Sequence, residues 1–337
     1  MDKPQALLVD ARFRRQPATT GVHYWASEVL AALPTHGIRP VELQASHGSG
    51  VRGHAWEQLV LPRELRQHPS DLPLLCPCNW GPLAVERQAL VLHDVAPLVV
   101  PEHFGSRYTA LARVQLPLLA RRVRTLITVS ESSRRDIVRT LGVDAERVVV
   151  VGAGTRALPA PEPATVEALP QPYFAFVGAH DARKNLVFLL ELWPRVHAAT
   201  GAHLVVTRRP DPMTNLASDR PVAPWCTELV SPTDAQLSAV LVGARALLWP
   251  SIYEGFGMPL LEAYQHGTAF VSADTGVAAE LVVPGDEVLP LDADVWVEAI
   301  TVRTANDPGD PALRRARAAE RTWDDVAGRV AAALRAG

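Results

Sequence analysis

The chain has 337 residues, too long for one ordinary domain and suited to two of about 150 each. With 48% apolar and 20% charged residues it has the makings of a real core. Its longest apolar runs, broken by His93, Asp94 and Pro97 or by Gly243 and Arg245, fall short of the roughly 18 residues a membrane-spanning helix needs. The net charge of -3 divides into +5 over residues 1–158 and -8 over the rest, so the first half suits an anionic partner: a nucleotide diphosphate, a lipid phosphate or an anionic membrane surface.

Three cysteines, Cys76, Cys78 and Cys226, cannot make a disulfide framework. They read as ordinary thiols in a reducing compartment rather than as metal ligands. No basic-then-apolar leader precedes Ala6 to Val9, so the expectation is a cytoplasmic protein, able to sit peripherally at the inner face of a membrane. Nothing calls for a nucleic-acid partner.

In chain order, β-branched runs at 6–10, 38–43, 72–76, 89–93, 125–129 and 147–151 predict strands. Helical spacing separates them, as in Val22, Trp25, Val29, Leu30 and Leu33. From Pro159 to Pro172 five prolines fall in fourteen residues, which reads as a linker that extends neither helix nor central strand. The pattern then restarts, with strands predicted at 173–178, 203–207, 227–230, 246–249 and 269–272. Helices fit 186–199, 234–243, 259–266 and 293–304, and a helical tail at 312–336 is able to cross back to the first domain. This alternation predicts two α/β domains, 1–158 and 173–311, each a parallel sheet wound on both faces.

Ligands of such sheets bind beyond the carboxyl ends of the strands, beside helix starts. Four places carry polar residues there. The first is Gly21, in Thr20-Gly21-Val22-His23-Tyr24, where the backbone is open to a ligand. The second is His93-Asp94, able to bond sugar hydroxyls, or else a satisfied core histidine beside a turn cap. The third is Arg183-Lys184-Asn185, two cations where Asn185 is expected to cap a helix. The macrodipole disfavours cations there by about 0.3–1 kcal/mol, a placement that makes sense around a bound diphosphate. Lys184 is conspicuous because the chain has only one other lysine, Lys3, against 31 arginines. The fourth is Glu254-Gly255-Phe256-Gly257-Met258-Pro259-Leu260-Leu261-Glu262: a glycine turn, a proline suited to the first helical position, and two carboxylates.

This last run resembles the two-glutamate motif of glycosyltransferase family 4, retaining enzymes of the GT-B fold with two Rossmann-like doubly wound domains facing a central cleft. Trp56-Glu57-Gln58, Cys78-Asn79-Trp80-Gly81-Pro82, His93-Asp94, Thr128-Val129-Ser130-Glu131-Ser132, Arg183-Lys184-Asn185, Ala279-Glu280-Leu281 and Thr322-Trp323-Asp324 follow the order seen in such enzymes.

The resemblance implies that Arg183 and Lys184, with Gly21, hold the donor diphosphate, and that Glu262 binds the nucleotide ribose. Glu254 and His93 would meet the donor sugar at the reaction centre, the backbone from Phe256 through Gly257, Met258 and Pro259 to Leu260 would meet sugar and phosphate, and Leu229 and Val230 would meet the base. It further implies a hexosyltransferase that uses a nucleotide sugar as donor, with no cofactor and no metal. GDP-mannose is the first donor to consider. The acceptor would be a glycan, a lipid-linked molecule or a small molecule, in polysaccharide or glycoconjugate biosynthesis.

Departures include Thr19-Thr20-Gly21 where relatives carry more glycines, His23 where arginine is common, and Arg208-Arg209 where glycine is usual. Asp292-Ala293-Asp294 reads as a helix cap rather than a metal-binding pair. The competing readings are a nucleotide-sugar epimerase of the same fold and a silent sugar-nucleotide-binding module.

Overall fold

The computed structural model describes residues 5–16, 20–46, 48, 50–179, 181–209, 223–306 and 309–336, without the side chains of Ala179 and Arg209. Lys3, Thr19 and His180 lie outside the described residues, as does the side chain of Arg209. The chain divides into two compact units, Met1–Gly154 with Arg321–Gly337, and Thr155–Glu320.

In the first unit, β1 (Gln5–Asp10), β2 (Ile38–Leu43), β3 (Leu74–Cys76), β4 (Gln88–Val91), β5 (Thr125–Thr128) and β6 (Val148–Val150) form one parallel sheet in the order β2-β1-β3-β4-β5-β6. Every residue of β3, β4 and β5 is buried, as expected of strands covered on both faces. Leu90, Leu116, Leu119, Leu126 and Ile137 share one core with Trp56 and Leu61. The helix Gly21–Ala32 buries Trp25, whose Nε1 donates to the Gly152 carbonyl at 2.9 Å. The last helix, Trp323–Ala336, packs against it and buries Val326, Ala327, Val330 and Ala331. Its first residue lies so close to Gly154 that a Cβ there would sit 2.6 Å from the Trp323 ring.

The second unit repeats the plan with β7 (Tyr173–Ala179), β8 (His203–Arg209), β9 (Cys226–Val230), β10 (Leu247–Trp249), β11 (Phe270–Ala273) and β12 (Glu287–Leu289). They are parallel, in the order β12-β11-β10-β7-β8-β9. Helices Leu186–Thr200 and Ala293–Ala305 close one core around Phe174, Trp193, Leu248 and Trp296. In this order the chain leaves β7 for β8 on one side and reaches β10 on the other. The point where the winding reverses, a crevice outside the carboxyl ends, therefore falls between β7 and β10. In the first unit the corresponding reversal lies between β1 and β3.

Several boundaries differ from those the sequence suggests. The change of unit falls at Gly154–Thr155, ahead of the proline-rich stretch. That stretch contains a helix, Pro163–Ala168, because Pro163 occupies the first helical position, where its missing N–H costs nothing. The tail at 312–336 is two helices. Pro311–Ala319 belongs to the second unit and Trp323–Ala336 to the first. Asp292 does cap its helix, accepting from the Asp294 and Val295 amides. Among the described residues no helix is long and apolar enough to cross a membrane.

Candidate functional site

The reversal between β7 and β10 brings together two loops far apart in sequence. After β7 the chain makes a tight turn, Ala182–Lys184, capped by Asp181, whose carboxylate accepts the Arg183 amide at 2.9 Å. Asn185 does not cap the next helix as expected. It takes a left-handed conformation, φ 56°, and uses no side-chain cap bond, so the two cations stand in a turn of their own.

Arg183 folds back on Asp181, with Nε to Oδ2 at 2.9 Å and a second, shorter guanidinium contact to the same oxygen. Burial alone raises the Asp181 pKa, but the bonds and charge of Arg183, helped by Lys184, outweigh it and leave the carboxylate lowered. Lys184 instead reaches the β10 loop. Its Nζ donates to Glu254 Oε1 at 2.6 Å and lies 4.2 Å from the centre of the Trp249 ring. A backbone bond from the Ile252 amide to the Arg183 carbonyl, 2.8 Å, fastens the same two loops.

The β10 loop then turns at Gly257, φ 86°, where a Cβ would lie 3.3 Å from Leu260 Cδ1. An L side chain is strained at that φ, so glycine belongs there. The helix runs Met258–Gln265, with Pro259 at its second position rather than its first, and aims its positive end toward the crevice. Gly267, φ 78°, follows the end of the helix; a Cβ there would strike Arg315 and Pro311.

Glu262 is buried on this helix, 3.4 Å from Arg156 Nη1, and Arg156 also pairs with Asp234. Burial works against the Arg156 charge, but Asp234 and Glu262 more than offset it, so its pKa is raised. Leu229 and Val230 end β9, two strands from β7, about 10 Å across the sheet. Beside them Arg208 pairs with Glu228 at 2.5 Å. The structure therefore gathers Arg183, Lys184, Glu254, Phe256 to Leu260 and Glu262 on one edge, with Leu229 and Val230 farther along it.

Gly21 and His93 belong to the first unit. Gly21 starts its helix behind a Thr20–His23 capping box, and a Cβ at 21 would meet nothing within 4 Å. Neither backbone conformation nor packing demands glycine there. His93 is buried just past β4, and its amide donates to Asn79 Oδ1 at 2.7 Å. Its Nε2 lies 2.9 Å from the Pro77 carbonyl, an acceptor only, so Nε2 carries the proton and Nδ1 is the basic nitrogen. Desolvation pushes its pKa down to about 4, against the opposing pull of the Pro77 bond, so the ring is neutral at pH 7. Asp94 caps the next turn through the Ala96 amide.

Sequence reasoning missed several residues. Asp181 and Trp249 lie next to expected residues, and only the folded geometry gives them a part. Arg156 sits just ahead of the stretch that reads as linker, with no local pattern to mark it. Another buried group lies at the first unit's reversal: Arg12 meets Glu57 at 2.5 Å, and its amide bonds Asp10. Desolvation, reinforced by Asp10, raises Glu57 to about 8 despite Arg12 and Gln58.

Residues 171–305 match the family described as glycosyl transferases group 1. The chain is 25% identical over 271 residues to O-antigen chain mannosyltransferase B of Escherichia coli, covering 74% of this chain and 70% of that protein. It is 28% identical over 229 residues to the MMP alpha-(1->4)-mannosyltransferase of Mycolicibacterium hassiacum, covering 64% of this chain and 54% of that protein. Among solved structures, Anabaena HepE in complex with UDP and glucose superposes with a TM-score of 0.71 at 16% identity, covering 99% of this chain and 100% of that one. The fold is GT-B.

Proposed function

We propose that the chain is a glycosyltransferase of GT-B type, since its residues 171–305 match the family described as glycosyl transferases group 1. We propose that it is a retaining, metal-independent hexosyltransferase that moves mannose from GDP-mannose to a glycan, lipid-linked or small-molecule acceptor in surface polysaccharide or glycoconjugate biosynthesis. The two mannosyltransferase relatives favour the sugar. A nucleotide-diphosphate donor is favoured by the UDP bound to HepE and by the cations and helix start at the reversal between β7 and β10.

The observation that carries the reading is the Lys184–Glu254 bond beside that helix start. It puts a cation for a diphosphate and a carboxylate for a sugar hydroxyl side by side, at the edge where such sheets bind ligands. In this reading Arg183, Lys184 and the amides at Met258 stabilise charge on the leaving phosphate. The bond from sugar C1 to the diphosphate oxygen breaks, and the acceptor oxygen bonds C1 on the same face. The acceptor proton passes to the departing phosphate oxygen, so no metal and no protein nucleophile is required. Glu262 takes the ribose, Glu254 the sugar, and the Leu229–Val230 backbone the base. Gly21 lies under the phosphates. His93, neutral with Nδ1 as acceptor, orients a sugar hydroxyl.

A donor screen tests this. Incubation with GDP-mannose, UDP-glucose, UDP-galactose and dTDP-glucose, followed by nucleoside diphosphate release, should show GDP-mannose turned over fastest and undiminished by a chelator. Proton NMR of the product should show the donor's anomeric configuration kept. Binding without release from any donor, or free isomerised sugar without transfer, would overturn the reading.

A further inference from the structure

Arg156 joins two carboxylates that lie on different helices. It is the second residue of the second unit, ahead of the proline-rich stretch, and its side chain is only 16% exposed. One carboxylate is Asp234, the first residue of the helix Asp234–Gly243. The other is Glu262, the fifth residue of the helix Met258–Gln265.

The chain on either side of Arg156 is held in place. Before it, Thr155 Oγ1 donates to the Ala318 carbonyl at 2.6 Å. After it, the Gln265 side chain bonds both backbone groups of Leu158, accepting the amide at 3.1 Å and donating to the carbonyl at 2.9 Å. Ser238 donates to the Pro159 carbonyl at 2.7 Å. Glu262 and Gln265 are three apart and Asp234 and Ser238 four apart, so each helix offers the segment two side chains from one face.

Fastening this segment needs no charge, since Gln265 and Ser238 do it with neutral groups. Nor does a cation belong at the start of Asp234–Gly243, where the macrodipole disfavours it. The group that needs the guanidinium is Glu262. A carboxylate so buried keeps its charge only beside a partner. Without one it takes up a proton, and a pure acceptor becomes a donor. Arg156 Nη1, 3.4 Å from Glu262 Oε1, is that partner, and Asp234 holds the guanidinium from the other side.

We infer that Arg156 is a positioning residue for the nucleotide, keeping Glu262 ionised and aimed so that its carboxylate accepts the ribose hydroxyls. Arg156 itself touches neither ribose nor phosphate, and Asp234 anchors it. The inference rests on the ribose reading of Glu262 and deepens it.

Calorimetry of the full chain with GDP, UDP and the 2′-deoxy and 3′-deoxy forms of each tests it. In the parent, removing a hydroxyl that Glu262 accepts should weaken binding about tenfold or more. Arg156→Met should bind the ribonucleotide about tenfold more weakly and lose no more than about twofold further on deoxygenation. Arg156→Gln, which keeps a hydrogen-bonding side chain without the charge, makes the same comparison should Arg156→Met melt below the parent. Arg156→Lys keeps a cation beside Glu262 but cannot span both carboxylates, and should regain part of the discrimination. A merely structural arginine would lower affinity for all forms alike. Neutral variants that discriminate as sharply as the parent would therefore overturn the inference and leave the ribose reading standing. So would Arg156→Lys discriminating no better than Arg156→Gln. A parent indifferent to both hydroxyls, or one that binds neither nucleotide, would overturn the nucleotide reading and this inference with it.

Discussion

Lys184 and Glu254, on loops that follow different strands, are joined by a 2.6 Å bond, and the Lys184 ammonium also lies over Trp249. The sheet order creates this meeting, because β7 and β10 are neighbours on either side of the point where the winding reverses. The first prediction follows from it. Lys184→Ala should lose a charge-assisted phosphate contact of about 1.5–3 kcal/mol. Calorimetry with the nucleoside diphosphate should then show affinity at least about tenfold weaker while circular dichroism is unchanged. Undiminished affinity would remove Lys184 from the diphosphate site.

The two glutamates should separate. Glu262→Gln, on the helix and beside Arg156, is expected to weaken binding of the nucleotide itself. Glu254→Gln should leave nucleotide affinity within about twofold, a few tenths of a kcal/mol, and lower the transfer rate. Equal loss of nucleotide affinity in both variants would contradict the division of ribose and sugar between them.

Two buried groups give stability opposite slopes with pH. His93 is held down to about 4, so the unfolded chain binds more protons between pH 6.5 and 4. Stability is complete above that window and falls by roughly 3 kcal/mol through it. Glu57 is raised from 4.5 to about 8, so the folded state holds the extra proton and stability declines as pH climbs between those values. Urea melts of His93→Gln should lack the acid loss, and those of Glu57→Gln the alkaline one. Profiles parallel to the parent's would refute the burial argument for the residue concerned.

The two glycines should behave differently. Gly257→Ala places a Cβ at φ 86° against Leu260 and should cost about 1–2 kcal/mol of stability as well as nucleotide affinity. Gly21→Ala meets nothing in the protein, so its melting temperature should be unchanged. If donor turnover is unchanged too, no ligand approaches the backbone at Gly21.

Much of the fold was legible in the sequence, because buried parallel strands write themselves as short aliphatic runs such as Leu90–Val91 or Leu126–Ile127. The strand Glu287–Leu289 was not, being three residues long and opening on a charge. Pro163–Ala168 was hidden because prolines that forbid a helix interior are welcome at its start. Of the candidate site, the glycine turn and the cations stood out locally. Their partners did not: Arg156 finds Glu262 and Asp234 only after folding, and Asp181 claims Arg183 through a turn no spacing rule specifies.

The first unit is closed by the final helix, since Trp323 lies against Gly154 and Val326 to Ala331 fill the space beside Gly21–Ala32. On a ribosome, the half that emerges first must therefore wait, with the Tyr24 side of its first helix uncovered, until Trp323–Ala336 has been made. The second unit, continuous from Thr155 to Glu320, has all its strands and helices in hand earlier. Domains generally fold as units during synthesis, so the order of completion here is the reverse of the order of translation. A stop codon straight after Glu320 would leave the second unit intact and the first one without its closing helix.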